Sequence, residues 1–168
     1  MAGMKKWLGL TAAGMMLGGW LIGDMAWADA VRNDLLVTAE QDGHYTRFIA
    51  AAKTTGLAEM LQDEGPLTLF IPTDKAFAAI DPATRDKLFS SSSRDRLKDV
   101  LELHVVPGDY TLETALQRVN LMSEQGQALK LSRSGGRFLV NDAHVIGDGI
   151  KTGNGRLYTI DKVLMPKQ

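Results

Sequence analysis

Leu67-Thr68-Leu69-Phe70-Ile71-Pro72-Thr73-Asp74-Lys75-Ala76-Phe77 is the stretch that decides the fold. Its first five residues are apolar or β-branched and lie between Pro66 and Pro72, the signature of a short buried strand. Thr73 follows as an N-cap for a helix carrying Phe77 and Ile80, and Asp74 in the first turn complements that helix's dipole. A buried strand running straight into a capped helix needs packing layers on both sides.

Upstream the pattern is helical. Tyr45, Phe48, Ile49 and Ala52 recur at the spacing of one buried face, and Leu57, Met60 and Leu61 suggest a second short helix that Gly65-Pro66 ends. Downstream, Pro82 suits the first turn of a helix reaching about Phe89. A short serine loop, Ser90 to Ser93, follows, with Ser93 as a cap for the next helix. There Leu97, Val100, Leu101 and His104 share a face, and Val105-Val106 then turn extended before Pro107-Gly108. After a short helix around 111–118 the pattern becomes β. Segments 128–132 and 137–140 flank a hairpin turn at Ser134-Gly135-Gly136. Gly147-Asp148-Gly149 separates further short strands, and Asn154-Gly155 is a hairpin turn leading into 156–164, the longest strand expected. Helices first and strands later in one compact unit predict an α+β fold.

Composition bounds the chemistry. The chain has 168 residues, 45% hydrophobic and 23% charged, with a net charge of −1. That is globular composition without the basic patch of a nucleic-acid binder. The absence of cysteine excludes disulfides, thiolate metal sites and a cysteine nucleophile. Residues 1–28 read as a signal peptide: Lys5 and Lys6, an apolar run of about 15 residues to Ile22, and Ala26-Trp27-Ala28, with cleavage expected after Ala28. The run is shorter than the ~20 residues of a spanning helix. The expectation is therefore a domain at 29–168 that is periplasmic or secreted and meets a membrane only through its leader.

Three segments resemble the fasciclin domain family. Residues 68–77 are similar to its first signature box, Leu101-Glu102-Leu103-His104-Val105-Val106-Pro107-Gly108 to its central Tyr-His motif, and Asn154-Gly155-Arg156-Leu157-Tyr158-Thr159-Ile160-Asp161 to the start of its closing box. The resemblance spans about residues 32–166. It implies a wedge of two β-sheets flanked by short helices, and a role in adhesion or protein and matrix contact. It also implies a structural motif: Pro72, Thr73, Asp74, Phe77, His104, Pro107, Gly108, Asn154, Gly155 and Asp161. Leu103 stands where the family often has tyrosine. Asp148-Gly149-Ile150 separates the acid and isoleucine that animal members place together for integrin binding, so that property is not carried over.

On this reading the partner is an extracellular or envelope protein or polysaccharide. The resemblance points to Leu103, His104, Val105 and Tyr110, with Asp148 and Ile150 in a second loop, as the contact residues. No cofactor, metal or catalytic residue is expected. His104 on an apolar face, with no nucleophile motif nearby, reads as a buried histidine bonded to backbone. His44, His104 and His144 are too widely spaced for a metal motif. The glycines at 147, 149, 153 and 155 are turn glycines, not a phosphate loop. Thr73 and Asp161 are expected to share a polar network joining the first helix junction to the last strand. Two other functions are open to the sequence. A carrier of apolar ligands or pigments would use an adaptable apolar site, although five of the eight methionines fall in the leader. A hydrolase has no motif behind it.

Overall fold

The computed structural model describes residues 34–118 and 120–167; the expected signal peptide lies outside them. Three helices open the domain: α1 (Leu35–Asp42), α2 (Thr46–Thr55) and α3 (Leu57–Asp63). Asp34 caps α1 by accepting the Val37 N–H at 2.8 Å. Tyr45, Phe48, Ile49 and Ala52 are buried, as their spacing requires. Next come β1 (Leu67–Pro72), α4 (Asp74–Ala78), α5 (Pro82–Leu88), a 3₁₀ turn at Ser91–Ser93, α6 (Arg94–Glu102), β2 (Val105–Pro107) and α7 (Leu112–Gln117). The last third is β3 (Leu121–Met122), β4 (Ala128–Leu129), β5 (Leu131–Ser134), β6 (Arg137–Val140), β7 (Ala143–Thr152) and β8 (Gly155–Ile160).

The main sheet runs β2-β1-β8-β7-β6-β5, and β3 and β4 form a small second sheet. This is the α+β architecture expected. Every residue of β1 is buried, because the strand separates two cores. Leu67, Leu69 and Ile71 face the helical core with Phe48, Leu57, Leu61, Phe77 and Leu101. Phe70 faces the other core with Leu103, Val106, Leu129, Tyr158, Ile160 and Leu164. β8 lies beside β1 in parallel, with Leu67 opposite Gly155 and Pro72 opposite Ile160. The first and last signature segments are therefore neighbours in space.

Five local expectations shift. Residues 128–132 are two strands in different sheets. The break is at Lys130, bracketed by Asn141, whose N–H reaches the Lys130 carbonyl and whose side chain accepts the Lys130 N–H. The Gly147-Asp148-Gly149 stretch does not end a strand. It is an irregularity inside the longest one, β7, between the Ile146–Thr159 and Ile150–Leu157 pairs. The turn from β7 to β8 is Gly153-Asn154, one residue earlier than read, with Thr152 opposite Gly155. β8 stops at Ile160, and Ser93 makes no side-chain capping bond to α6.

Candidate functional site

The central segment is interior. Leu103, His104, Val105 and Val106 are each 0–1% exposed, so three of the expected contact residues present no side chain to a partner. The reason lies in how α6 ends. Its last turn continues into a tight bend, with the His104 N–H on the Leu101 carbonyl, and this aims the imidazole inward.

There, Nδ1 donates to the Val100 carbonyl at 2.7 Å, and Nε2 accepts the Leu164 N–H at 3.0 Å. A carbonyl can only accept and an amide can only donate, so these two partners fix the neutral tautomer. Phe48 packs against the ring at 6.0 Å. Burial pushes the His104 pKa down to about 4, against a smaller opposing effect of the Val100 bond. His104 ties the end of α6 to the C-terminal segment and does not face solvent.

The segments holding the remaining expected contact residues do meet. Tyr158 donates its hydroxyl to the Tyr110 carbonyl at 3.2 Å. The Tyr110 N–H reaches the Thr68 hydroxyl at 3.0 Å, which in turn donates to the Gly108 carbonyl at 2.6 Å. Two glycines at positive φ let the backbone lie on these rings: Gly108 on Tyr110 and Gly149 on Tyr158. Asp109 joins the two segments at the surface. It accepts from Arg156 Nε, and its other oxygen lies 3.7 Å from Lys151 Nζ. Arg118 stands over the Tyr110 ring at 4.8 Å. Exposed pairs of this kind add little stability, so they shape a surface more than they hold the fold.

Ile146 and Ile150 are 51% and 43% exposed, on either side of the Gly147-Asp148-Gly149 irregularity; paired with Thr159 and Leu157, they project from the other side of the sheet from Arg156 and Tyr158. On the Tyr158 side a cleft of about 180 Å³ opens between Glu113, Phe138, Asp148 and Arg156. Asp109 and Lys151 fall within the two segments expected to meet a partner, 103–110 and 148–152; Ile146 and Arg156 are not among the expected contact residues. Ile146 was detectable: Ala143 and Val145 face inward, so strand alternation sends Ile146 outward.

The motif residues act as joints. The Thr73 hydroxyl accepts the Ala76 N–H at 3.2 Å, capping α4. Asp74 serves a different helix, accepting the Arg47 N–H at 2.8 Å and both the N–H and hydroxyl of Thr46, at the start of α2. Burial opposes ionisation of Asp74, but these donors outweigh it and hold its carboxyl below the usual range. The expected Thr73–Asp161 network does not form through side chains. The Thr73 N–H binds the Ile160 carbonyl at 3.3 Å, while the Asp161 carboxylate accepts the His144 N–H at 2.8 Å and lies 3.2 Å from His144 Nδ1. Asp161 thus fastens β8 to β7. Phe77 is buried, and Pro107 pairs with Leu67 at the sheet edge.

Asn154 carries the largest polar load. Its Oδ1 accepts the Leu35 N–H at 2.9 Å and its Nδ2 donates to the Leu61 carbonyl at 2.6 Å, so one side chain links α1, α3 and the β7–β8 turn. Asn154→Ala should lower stability by about 2 kcal/mol, read from urea unfolding, because it strands a donor and an acceptor. Asn154→Asp should fail as well, since a carboxylate cannot donate to Leu61; an unchanged midpoint in both would remove Asn154 as a joint.

Among the described residues no group of three or more His, Asp or Glu side chains is placed to hold a metal. What the geometry defines is an α+β scaffold closed by its own first and last strands, whose interior polar groups join elements and whose chemistry is left to the surface. The chain belongs to the fasciclin domain family, whose model, the Fasciclin domain, matches residues 43–166. It is 37% identical to Protein sll1483 of Synechocystis sp. over 122 residues, 73% of this chain and 67% of that one. It is 36% identical over 129 residues to transforming growth factor-beta-induced protein ig-h3 of Sus scrofa, covering 74% of this chain but 18% of that protein. A solved structure of a FAS1 domain pair from the insect cell adhesion molecule fasciclin I shares the fold. Its TM-score is 0.71 at 20% identity, over 80% of this chain and 51% of that one.

Proposed function

We propose that this chain is an exported, non-enzymatic interaction domain that binds a protein or polysaccharide of the cell envelope or extracellular space. Its contact surface is the exposed stretch of β7 around Ile146, Asp148 and Ile150. The single observation that carries the reading is the pair of exposed isoleucines on either side of the Gly147-Asp148-Gly149 irregularity of β7. Apolar side chains left exposed close together on one strand are the kind of anchor a binding patch uses. Two further points support it. His104, the most tempting catalytic side chain, is enclosed with both nitrogens occupied. The insect protein that shares the fold is described as a cell adhesion molecule. Export rests on the leader read at 1–28, with a mature chain beginning at Asp29.

The test is a pulldown from envelope and surface fractions, with eluates read for proteins, polysaccharides and small molecules. Ile146→Asp and Ile150→Asp should each weaken capture of the partner tenfold or more. Their melting temperatures should stay within about 2 °C of the parent, as expected for exposed positions. Capture that survives both changes would move the contact face elsewhere, and a small molecule as the only companion would turn the assignment to a carrier.

A further inference from the structure

A second concavity lies in the helical layer and uses none of the residues of the β7 face. α2 packs on α6, but Ala50 and Ala51 stand where larger side chains would fill the groove between them. What remains is a cleft of about 360 Å³, within the size range of small-ligand sites. Its floor is apolar, made by the buried Ala51 and Leu97. One wall is Phe89, 40% exposed yet anchored on the buried Phe77 ring at 6.0 Å. The Thr54 hydroxyl is turned back onto the Ala50 carbonyl at 2.8 Å, so it makes no polar claim on the groove.

Charge enters at one end only. Arg94 lines the cleft and no carboxylate does. Among the described residues Arg94 has no ion-pair partner. It is also the first residue of α6, whose amide end adds positive partial charge at the same point and lacks a side-chain cap from Ser93. Ser90 and Ser91 also line the cleft, so a trough with an apolar floor, hydroxyls and one cation fits a ligand with an apolar tail and one anionic head. A neutral lipid would leave the guanidinium unmatched, and a small polar anion would leave the trough empty.

We propose that this cleft binds a single-chain carboxylate, its tail against Ala51, Leu97 and the Phe89 ring and its head on Arg94. The guanidinium fork suits a carboxylate. The site is independent of the partner face, so the two can fail separately.

The experiment is an amide NMR titration of the full chain with decanoate, kept below its micelle-forming concentration, with decanol as the uncharged control. Saturable shifts are expected at Ala50, Ala51, Thr54 and Leu97. Arg94→Gln should weaken decanoate about tenfold, the effect of losing one charged hydrogen-bonded contact, and leave decanol unchanged. Ala50→Phe, at an exposed position, should fill the cleft and abolish both sets of shifts without lowering the melting temperature. Shifts confined to other surfaces, equal affinity for decanol and decanoate, or shifts at these residues that follow protein concentration instead of ligand would each overturn the proposal. The last would make the groove a contact between two copies of the chain.

Discussion

Gly155→Ala should leave the protein without a cooperative unfolding transition, and most of it insoluble on expression. Gly155 opens β8 directly opposite Leu67 of β1. A methyl group there would overlap the Leu67 carbonyl oxygen and lie 2.8 Å from its carbonyl carbon and 2.9 Å from its nitrogen. All three atoms are backbone, so no rotamer change relieves the clash; the two central strands would have to separate. Gly135 gives the comparison. It also has a positive φ, +57°, but a Cβ there meets nothing within 4 Å, so Gly135→Ala should cost only the conformational strain, about 1 kcal/mol. The Gly155 change should exceed 4 kcal/mol, a large part of the 5–15 kcal/mol that holds an ordinary domain together. A Gly155→Ala protein that melts within a few degrees of the parent would show that β1 and β8 do not lie in this register.

The second large effect is on pH. His104 is neutral when folded, with a pKa of about 4, against about 6.5 in the unfolded chain. Between those values the unfolded state binds the proton and the folded state does not, so acid favours unfolding. The stability from this group is complete above about pH 6.5, falls through the interval down to about pH 4, and is flat below it. The loss across the window is about 3 kcal/mol. Urea unfolding from pH 7 to pH 4, with imidazole ¹⁵N shifts followed in parallel, should show that loss and an Nδ1–H tautomer persisting well below pH 6. A His104 that titrates near 6.5 would mean the ring is not sealed. His104→Ala should remove the slope and also cost about 3 kcal/mol at pH 7, since it leaves the Leu164 N–H and the Val100 carbonyl without their partners.

Much of this was legible because it is local. Prolines 66 and 72 bound β1, the Thr73 cap depends on a residue three positions away, and the inward face of His104 follows from its spacing to Leu97 and Leu101. The errors share a cause: each position was decided by a strand or helix distant in sequence. A glycine looks the same whether it turns a chain or lets one pass close to another. At 147–149 pairing with β8 makes it an interruption within one strand, and at 155 the neighbour is β1. Asp74 was read as serving its own helix because the start of α2, nearly thirty residues earlier, is invisible locally. The two segments expected to contact a partner do meet, through Asp109 and the paired tyrosines, but burial of Leu103, His104 and Val105 cannot be inferred from a motif that resembles a contact region in other proteins.

The parallel pairing of β1 with β8 also sets the order in which the domain can form. β8 is central, between β1 and β7, and it follows every other strand of the domain in sequence. Until it joins the sheet, β1 lacks its parallel neighbour, and the helices that cover β1 have only part of a surface to pack on. Such long-range closure makes folding slow relative to a helical bundle of similar size. A chain lacking β8 would leave β1 and β7 without a common neighbour, so the sheet closes only when the domain's last strand joins its first.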